Sequence, residues 1–481
     1  MRIREEGAFD RRRRDVLGYA LTFLTLLIVL VHATQVSVNL LGAKRGTSLS
    51  LGLVDILIWA AIGLWFVRRI VRFDIAWPPI SWAGILGTIW LFLSSITFLK
   101  GAAGQDISVS FKQGAVKAVQ FAEYFVVAYL LIAETGASRK WGGRIVTALA
   151  AAVAVATAVG VFQYFSRDVL VLNIRGTWFE NRNTFGAFLA LSIPFLAGVA
   201  AYSRSLRLRL GMGILTLAAL TVCLSGGAFL ALCVGLLTVA ALRGLVRFGA
   251  LSVTLIVLAV FVLPHLPREN SRVLLDSVLL YREGDAYHTA HHDIVEQKIK
   301  PALDEKLALL PERLRNGEPL SLADMPRERD SMWKWRQACL EWQAGLNMAA
   351  AYPIFGVGAG SYQKNVNRFY DMPKYHENLL EPDTLSGYMI WTATAGLPFL
   401  AIMLWIFLRA GRKAAAVLFV ESDAFRCGLA AGILGSLAAL AVLCGFTNPL
   451  VRGVGVTMIL APALAESLRR IAPMEARERS V

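Results

Sequence analysis

Residues 210–242 read LGMGILTLAALTVCLSGGAFLALCVGLLTVAAL, and this stretch decides the class of protein. It contains no charged residue, and it is long enough to cross a hydrocarbon core of about 30 Å, which needs roughly 20 apolar residues. Its one polar interruption is Ser225-Gly226-Gly227. One long helix and two shorter helices both fit the stretch, and we choose two because the charge pattern of the neighbouring loops then alternates.

The composition of the whole chain extends this interpretation. Of 481 residues, 56% are hydrophobic and only 17% are charged, against about 25% charged in soluble domains. An ordinary cytosolic enzyme is excluded, and an all-α polytopic membrane protein is predicted. We predict twelve spans, at 16–34, 49–67, 80–99, 115–133, 145–165, 185–202, 207–223, 226–242, 248–264, 385–408, 427–446 and 453–468.

The net charge of +15 is mainly a topology signal. Basic residues cluster at the N-terminus, in alternate loops and in the C-terminal tail, so the positive-inside rule predicts that both termini are cytoplasmic. Merging the seventh and eighth spans would move Arg243 and Arg247 to the outer side. The first span is predicted to remain uncleaved. Five tryptophans at or near span ends are predicted to belong to an interfacial aromatic belt: Trp77, Trp82, Trp90, Trp178 and Trp391.

This topology divides the chain into three parts: spans 1–9 in residues 1–264, a large periplasmic loop in residues 265–384, and spans 10–12 with a cytoplasmic tail in residues 385–481. The loop holds five of the six histidines, and His32 lies at the outer end of the first span. Helices are predicted over 289–310 and 328–351. The glycine-rich segment 353–361 is predicted to be a turn or a close-approach loop.

Four stretches, in this order, carry a family resemblance. They are Gly160–Tyr164 with Arg175–Pro194, the Leu224-Ser-Gly-Gly-Ala228 break, Arg329-Asp-Ser-Met-Trp333 with Tyr352–Gly360, and His376 with Gly387–Ile390 and Ala395-Gly-Leu-Pro398. Their order and spacing, together with the large loop before the tenth span, resemble the O-antigen ligase and polymerase superfamily of bacterial envelope glycosyltransferases. The resemblance covers about residues 115–445.

The resemblance implies a metal-independent glycosyltransferase of the bacterial inner membrane, acting on the periplasmic side without a cofactor. The implied donor is a glycan on undecaprenyl pyrophosphate. The implied acceptor is a sugar hydroxyl, on lipid A–core for a ligase or on another lipid-linked glycan for a polymerase. The ligase-type activity is the first hypothesis and the polymerase activity the second. A lipid-linked glycan transporter is the alternative from another class, but it would place its polar residues near the middle of the membrane.

The implied catalytic residues depart from the family pattern. Such families have a histidine that acts as base about a dozen residues before the Gly-x-Pro element, but His376 lies twenty residues before Gly396. Asp383 occupies the nearer position, so either residue is a candidate base. Arg329 begins the Arg-x-x-x-Trp element and is the candidate that stabilises the leaving pyrophosphate, since bidentate guanidinium contacts suit that charge.

The family's Ser-Arg-Gly is Ser225-Gly226-Gly227 in this chain, so one expected arginine is missing. Arg175, Arg182 and Arg452 lie in short outer loops that run against the positive-inside trend, and each is a candidate for binding the pyrophosphate. Asn181 and Asn183 could bind sugar hydroxyls or cap the following helix.

Two further polar groups have competing interpretations. His288, His291, His292 and Asp293 have metal-ligand spacing on a helix, but a solvated segment without bound metal is preferred. Lys117, Gln120 and Glu123 form a polar stripe on the fourth span, which could line a groove for the lipid donor or tie helices together.

Overall fold

A computed structural model describes most of the helical core of the protein. The described residues are 2–32, 37–39, 50–72, 81–97, 107–165, 179, 182–223, 225–244, 332–366, 369, 386–450, 454–468, 470 and 471. Much of the predicted periplasmic loop, including the predicted helix 289–310, therefore lies outside them.

The described elements are helices except for one short pair of antiparallel strands. In chain order they are α1 (Arg2–Val31), β1 (Ser37–Asn39), β2 (Ser50–Gly52), α2 (Leu53–Arg72), α3 (Trp82–Thr97), α4 (Ile107–Ala122), a π-helical turn (Glu123–Ala128), α5 (Tyr129–Gly136), α6 (Arg139–Phe165), α7 (Arg182–Tyr202), α8 (Leu206–Val222), α9 (Gly226–Arg243), α10 (Met332–Ala351), α11 (Tyr362–Asn365), α12 (Gly387–Val420), α13 (Ala424–Phe446) and α14 (Gly455–Ser467).

The helices follow the hydropathy pattern closely. Within the described residues, six helical stretches are long and apolar enough to cross a membrane, and they lie at predicted spans 4, 5, 6, 8, 10 and 11. Shorter apolar helices lie at predicted spans 1, 3 and 12. Helices α2 and α8 match spans 2 and 7, while span 9 is outside the described residues, so the total of twelve stays a prediction.

The chain breaks between α8 and α9, as the sequence predicts. Cys223 and Ser225 both have non-helical backbone angles, and α9 starts at Gly226. Residues 206–243 therefore form two helices rather than one, as the charge pattern of the flanking loops predicts.

Helices α7, α9 and α13 form the centre of the bundle, and glycines allow their close approach. A Cβ added at Gly198 would overlap the backbone of Gly432, and one added at Gly432 would overlap the carbonyl of Phe195. A Cβ at Gly235 would lie 2.6 Å from the ring of Pro194 in α7. Without water to drive association inside a membrane, such backbone-to-backbone packing supplies much of the attraction between helices.

The predicted cytoplasmic loops lie together at one end of the bundle, here named the basic end. Arg68 of α2 and Glu134 of α5 are 2.8 Å apart, and Arg139 at the start of α6 pairs with Asp423 at the start of α13. Lys413 of α12 pairs with Glu466 of α14. These pairs show that alternate connections of the chain share one face, as the charge pattern predicts.

Asp423 joins two elements at the basic end. Its carboxylate accepts hydrogen bonds from the amides of Phe425 and Arg426, so it caps α13 while it pairs with Arg139. Burial opposes ionisation of this carboxyl, but the guanidinium and the two amides outweigh burial and hold its pKa below the usual range.

Candidate functional site

The ends of α7, α9, α12 and α13 meet at the end of the bundle opposite to the basic end, here named the glycine end. A Cβ at Gly186 of α7 would lie 2.9 Å from Ala228 of α9. A Cβ at Gly227 of α9 would overlap Phe446 at the end of α13. The motifs Arg175–Pro194 and Leu224–Ala228, separate in the sequence, are thus in contact.

Helix α12 joins the same end of the bundle. The amide of Gly387 donates to the carbonyl of Thr447 at 3.2 Å, and the hydroxyl of Ser386 donates to the carbonyl of Cys444 at 3.1 Å. Ser386 and the start of α12 therefore lie at the glycine end.

Two candidate ligands for the donor lie in the first turn of α7. Arg182 begins the helix and is half-buried, while Asn183 is exposed. Arg182 precedes Gly186 by four residues, which is about one helical turn. It therefore lies about one turn from the point where α7 touches the start of α9.

Gly226, where the family resemblance led us to expect an arginine, is the first residue of α9. Its neighbour Ser225 packs beside Gly186, with 3.2 Å between the Ser225 Cβ and a Cβ added at Gly186. The start of α9 and Arg182 therefore lie about one turn of α7 apart.

An aromatic group anchors the loop that precedes Arg182. The ring of Phe179 lies 5.5 Å from that of Phe185 and 5.2 Å from that of Phe188, centroid to centroid. All three side chains are buried. This packing places Phe179, three residues before Arg182, against the first two turns of α7.

The glycine-rich loop 353–361 docks on a break in α12. Gly396 interrupts that helix with φ +80° and ψ 173°, and a Cβ there would overlap the carbonyl of Ile354. On the other side, Gly356 has φ +64°, and a Cβ there would overlap the backbone at Thr394 and Ala395. Only glycine fits at both positions, so the prediction of a close-approach loop is confirmed.

The break frees backbone groups of α12, and the loop satisfies them. Three backbone hydrogen bonds join the two segments: Val357 N to Ala393 O at 2.8 Å, Gly358 N to Thr394 O at 2.9 Å, and Leu397 N to Pro353 O at 2.8 Å. Irregular backbone at membrane depth needs such partners, because lipid offers none.

Helix α3 packs against the junction between the glycine-rich loop and the break in α12. The hydroxyl of Ser94 donates to the carbonyls of Phe355, at 2.6 Å, and Thr394, at 3.0 Å. The indole of Trp90 donates to the carbonyl of Ala395 at 2.8 Å and stacks on Phe355. Trp90 therefore braces the junction instead of belonging to an interfacial belt, and Trp391, with 2% of its surface exposed, is buried in the bundle.

A comparison of the sequence with protein families gives one match. Residues 211–404 match the O-antigen ligase family. This segment of the chain is therefore similar to the O-antigen ligase family. No curated protein matches the chain significantly. The matched segment runs from α8 through the glycine-rich loop to the break in α12, so the loop and the break both lie inside the part of the chain that resembles the family.

Most of the predicted site residues lie outside the described residues. They are Arg175, Asn181, Arg329, His376, Asp383 and Arg452. Their roles stay predictions, although the described chain ends beside them, at Ser386 and Leu450 for example, lie at the glycine end. The histidine cluster at 288–293 is likewise outside. Among the described residues, no group of three or more His, Cys, Asp or Glu side chains is placed to hold a metal ion.

Sequence reasoning missed the role of His32 at the glycine end. Its Nδ1 lies 2.6 Å from the carbonyl of Val29 and its Nε2 lies 2.6 Å from the hydroxyl of Thr457 in α14. The ring also makes an edge contact with Phe188, at 5.4 Å between centroids. His32 thereby links α1, α7 and α14. The sequence predicts that His32 lies at the end of a span, but it does not predict the contact with Thr457, which is more than 400 residues away.

The polar stripe on the fourth span divides into two parts. Glu123 is buried and accepts a hydrogen bond of 2.6 Å from the indole of Trp59, so it ties α2 to the π-helical turn. Tyr124 is buried against Gly455 of α14, where a Cβ would lie 2.6 Å from the ring. Lys117 is exposed and lies 3.4 Å from Gln120. Glu123 and Tyr124, the buried part of this region, thus tie helices together.

Proposed function

We propose that this protein transfers a glycan from undecaprenyl pyrophosphate to a sugar hydroxyl on the periplasmic face of the bacterial inner membrane, as an O-antigen ligase-like enzyme. The observation that carries the proposal is the meeting of the family's separate motifs at one end of the bundle, opposite to the basic end. A basic end of this kind is expected to face the cytoplasm, so the glycine end would face the periplasm.

The chemistry requires three things at that end. The acceptor hydroxyl attacks the anomeric carbon of the donor sugar, a base removes the hydroxyl proton, and the bond from that carbon to the pyrophosphate oxygen breaks. His376 or Asp383 would be the base, because a group with a pKa near the working pH is suited to that step. Arg329 would neutralise charge on the departing lipid pyrophosphate without a metal ion.

Arg182 is the candidate that supplies the arginine missing at position 226. It lies about one helical turn from the contact between Gly186 and Ser225, and Phe179, three residues before it, packs on Phe185 of the same helix. Arg175 and Arg452 would complete the binding of the pyrophosphate, and Asn181 and Asn183 would contact sugar hydroxyls.

Complementation of a deletion strain tests the proposal. Arg182→Ala, Arg329→Ala and His376→Ala are expected to abolish attachment of long surface glycan at normal membrane levels of the protein. A double variant tests the role of Arg182 more directly. Gly226→Arg in the Arg182→Ala background returns an arginine to this end of the bundle and is expected to restore part of the activity. Arg204→Gln, which removes an exposed charge at the basic end, is the matched control and should behave as wild type.

The phenotype also separates the two activities of the superfamily. Loss of all glycan-capped lipopolysaccharide indicates a ligase, whereas retention of a single repeat on the core indicates a polymerase. Unchanged glycan attachment and length in all three alanine variants would overturn the site. Movement of lipid-linked sugar across liposomes by the purified protein, without transfer, would overturn the enzyme in favour of a transporter.

A further inference from the structure

A polar cavity lies at the basic end, far along the bundle from the glycine end. It has a volume of about 310 Å³ and lies between α1, α2, α5 and α6. Its lining residues are Gly18, Tyr19, Leu21, Thr22, Arg68, Glu134, Thr135, Ser138 and Trp141. Of the predicted site residues, the structure describes Arg182 and Asn183, and neither lines this cavity, which lies at the other end of the bundle from them.

The charge around the cavity is positive overall. Glu134 is already held by Arg68 at 2.8 Å, by Arg69 at 3.8 Å and by the indole of Trp65 at 2.6 Å. Two arginines therefore face one carboxylate. Among the described residues, the buried Nε of Arg68 has no hydrogen-bond partner, and it belongs to a side chain that lines the cavity.

Aromatic side chains form one wall of the cavity. Tyr19 and Trp141 meet edge to face, with 5.9 Å between their ring centroids. The guanidinium of Arg144 lies 4.2 Å over the Trp141 ring, and the ammonium of Lys140 lies 5.9 Å from it. Tyrosine and tryptophan beside basic residues are typical of the level of lipid headgroups.

The wall continues into an apolar face of α1. Val16, Tyr19 and Phe23 are each about 60% exposed and are spaced at helical intervals. A ligand with its polar end in the cavity could lay an apolar chain along this face, which a free anion would not use.

We propose that this cavity binds the phosphate-bearing headgroup of an anionic membrane lipid. The guanidinium of Arg68 would bind the phosphate, Arg144 and Lys140 would supply further positive charge, and the acyl chains would lie along Val16, Tyr19 and Phe23. Pockets with basic side chains between membrane helices suit such headgroups. The site is independent of the proposed transferase activity.

Binding is measured with the full-length protein in neutral detergent, titrated with phosphatidylglycerol or with phosphatidylcholine of the same chains. Native mass spectrometry counts bound lipid, and thermal unfolding reports stabilisation. Phosphatidylglycerol is expected to bind and to raise the Tm of the wild type, and phosphatidylcholine is not. Arg68→Gln is expected to weaken the binding on the order of tenfold, as loss of one charge-assisted hydrogen bond does.

Two variants keep the test decisive. Gly18→Leu fills the cavity without removing a charge and should abolish phosphatidylglycerol binding even if Arg68→Gln fails to fold. Arg204→Gln removes one exposed charge from the same end, away from the cavity lining, and should bind as the wild type does. Equal weakening in Arg204→Gln, equal stabilisation by phosphatidylcholine, or full displacement of the lipid by millimolar inorganic phosphate would each overturn the proposal.

Discussion

At the scale of single residues, His32 shows how one side chain can join distant helices. A carbonyl oxygen only accepts, so Nδ1 carries the proton shared with Val29, and in the neutral ring Nε2 accepts from the hydroxyl of Thr457. Thr457→Val keeps the shape but leaves Nε2 unsatisfied, which is expected to cost about 1–3 kcal/mol of unfolding free energy. His32→Leu should cost a similar amount.

A double-mutant cycle measured by thermal unfolding in detergent isolates this contact. The pair His32→Leu with Thr457→Val is expected to cost less than the sum of the single variants, by about 0.5–1.5 kcal/mol. Strictly additive losses would show that the two side chains do not interact. Thr147→Val is the matched control, because the Thr147 hydroxyl bonds only within its own helix, to Gly143.

Asp423 yields a prediction with a defined pH dependence. Its folded pKa is lowered, so its stabilising contribution is complete above the unfolded value of about 3.9 and is lost as pH falls through the folded pKa. Asp423→Ala removes the cap of α13 and the pair with Arg139, which is expected to cost about 1–2 kcal/mol at pH 7.

The stability difference between wild type and Asp423→Ala should therefore shrink in unfolding experiments carried down to about pH 3. Asp423→Asn separates the two contributions, since asparagine also caps helices but cannot pair with Arg139. A difference that stays constant over this pH range would contradict the role of the charge.

At the scale of elements, the junction between the glycine-rich loop and the break in α12 is the feature most sensitive to a single methyl group. Gly396→Ala places a Cβ against the carbonyl of Ile354 at a φ of +80° and ψ of 173°, a region that is essentially limited to glycine. The loop should detach from α12, with a loss of more than about 2 kcal/mol and of transferase activity.

Gly143→Ala is the control for that substitution. Gly143 lies in α6 with open space around it, so alanine should leave activity unchanged and raise stability slightly, by up to about 1 kcal/mol. The readouts are the Tm in detergent and glycan attachment in the complemented strain. Wild-type values of both for Gly396→Ala would show that the junction is not needed.

The elements differ in how far the sequence predicts them. Hydropathy and loop charge predict most helix positions, the break at Ser225-Gly226 and the end of α10 before Pro353, because each depends on neighbouring residues. Glycine and proline in Ala395-Gly-Leu-Pro398 mark a special point, but the partner of Gly396 lies 42 positions earlier, at Ile354. The hydrogen bond from Ser94 to Phe355 and the one between Thr457 and His32 join residues far apart in the sequence. They depend on three-dimensional packing alone, so no local pattern predicts them.

At the scale of the whole molecule, the two ends of the bundle are held together by different kinds of contact. The basic end is joined by ion pairs such as Arg139 with Asp423 and Lys413 with Glu466. The glycine end is joined by side chains packed against glycines, with Ala228 at Gly186 and Phe446 at Gly227, and by the backbone hydrogen bond from Gly387 to Thr447. Charged pairs can remain at a surface rich in lipid phosphates, whereas the glycine end brings Arg182, in the first turn of α7, close to the contact between α7 and α9.

This division predicts that the two ends face opposite compartments. In a cysteine-free variant, Ser422→Cys reports on the basic end and Ala350→Cys on the predicted periplasmic segment, and both positions are exposed. A membrane-impermeant maleimide should label Ala350→Cys in spheroplasts and label Ser422→Cys only after the inner membrane is permeabilised. Positive residues on the cytoplasmic side set this orientation, since translocating them is costly. The reverse labelling pattern would place the glycine end in the cytoplasm, where no periplasmic transferase could use it.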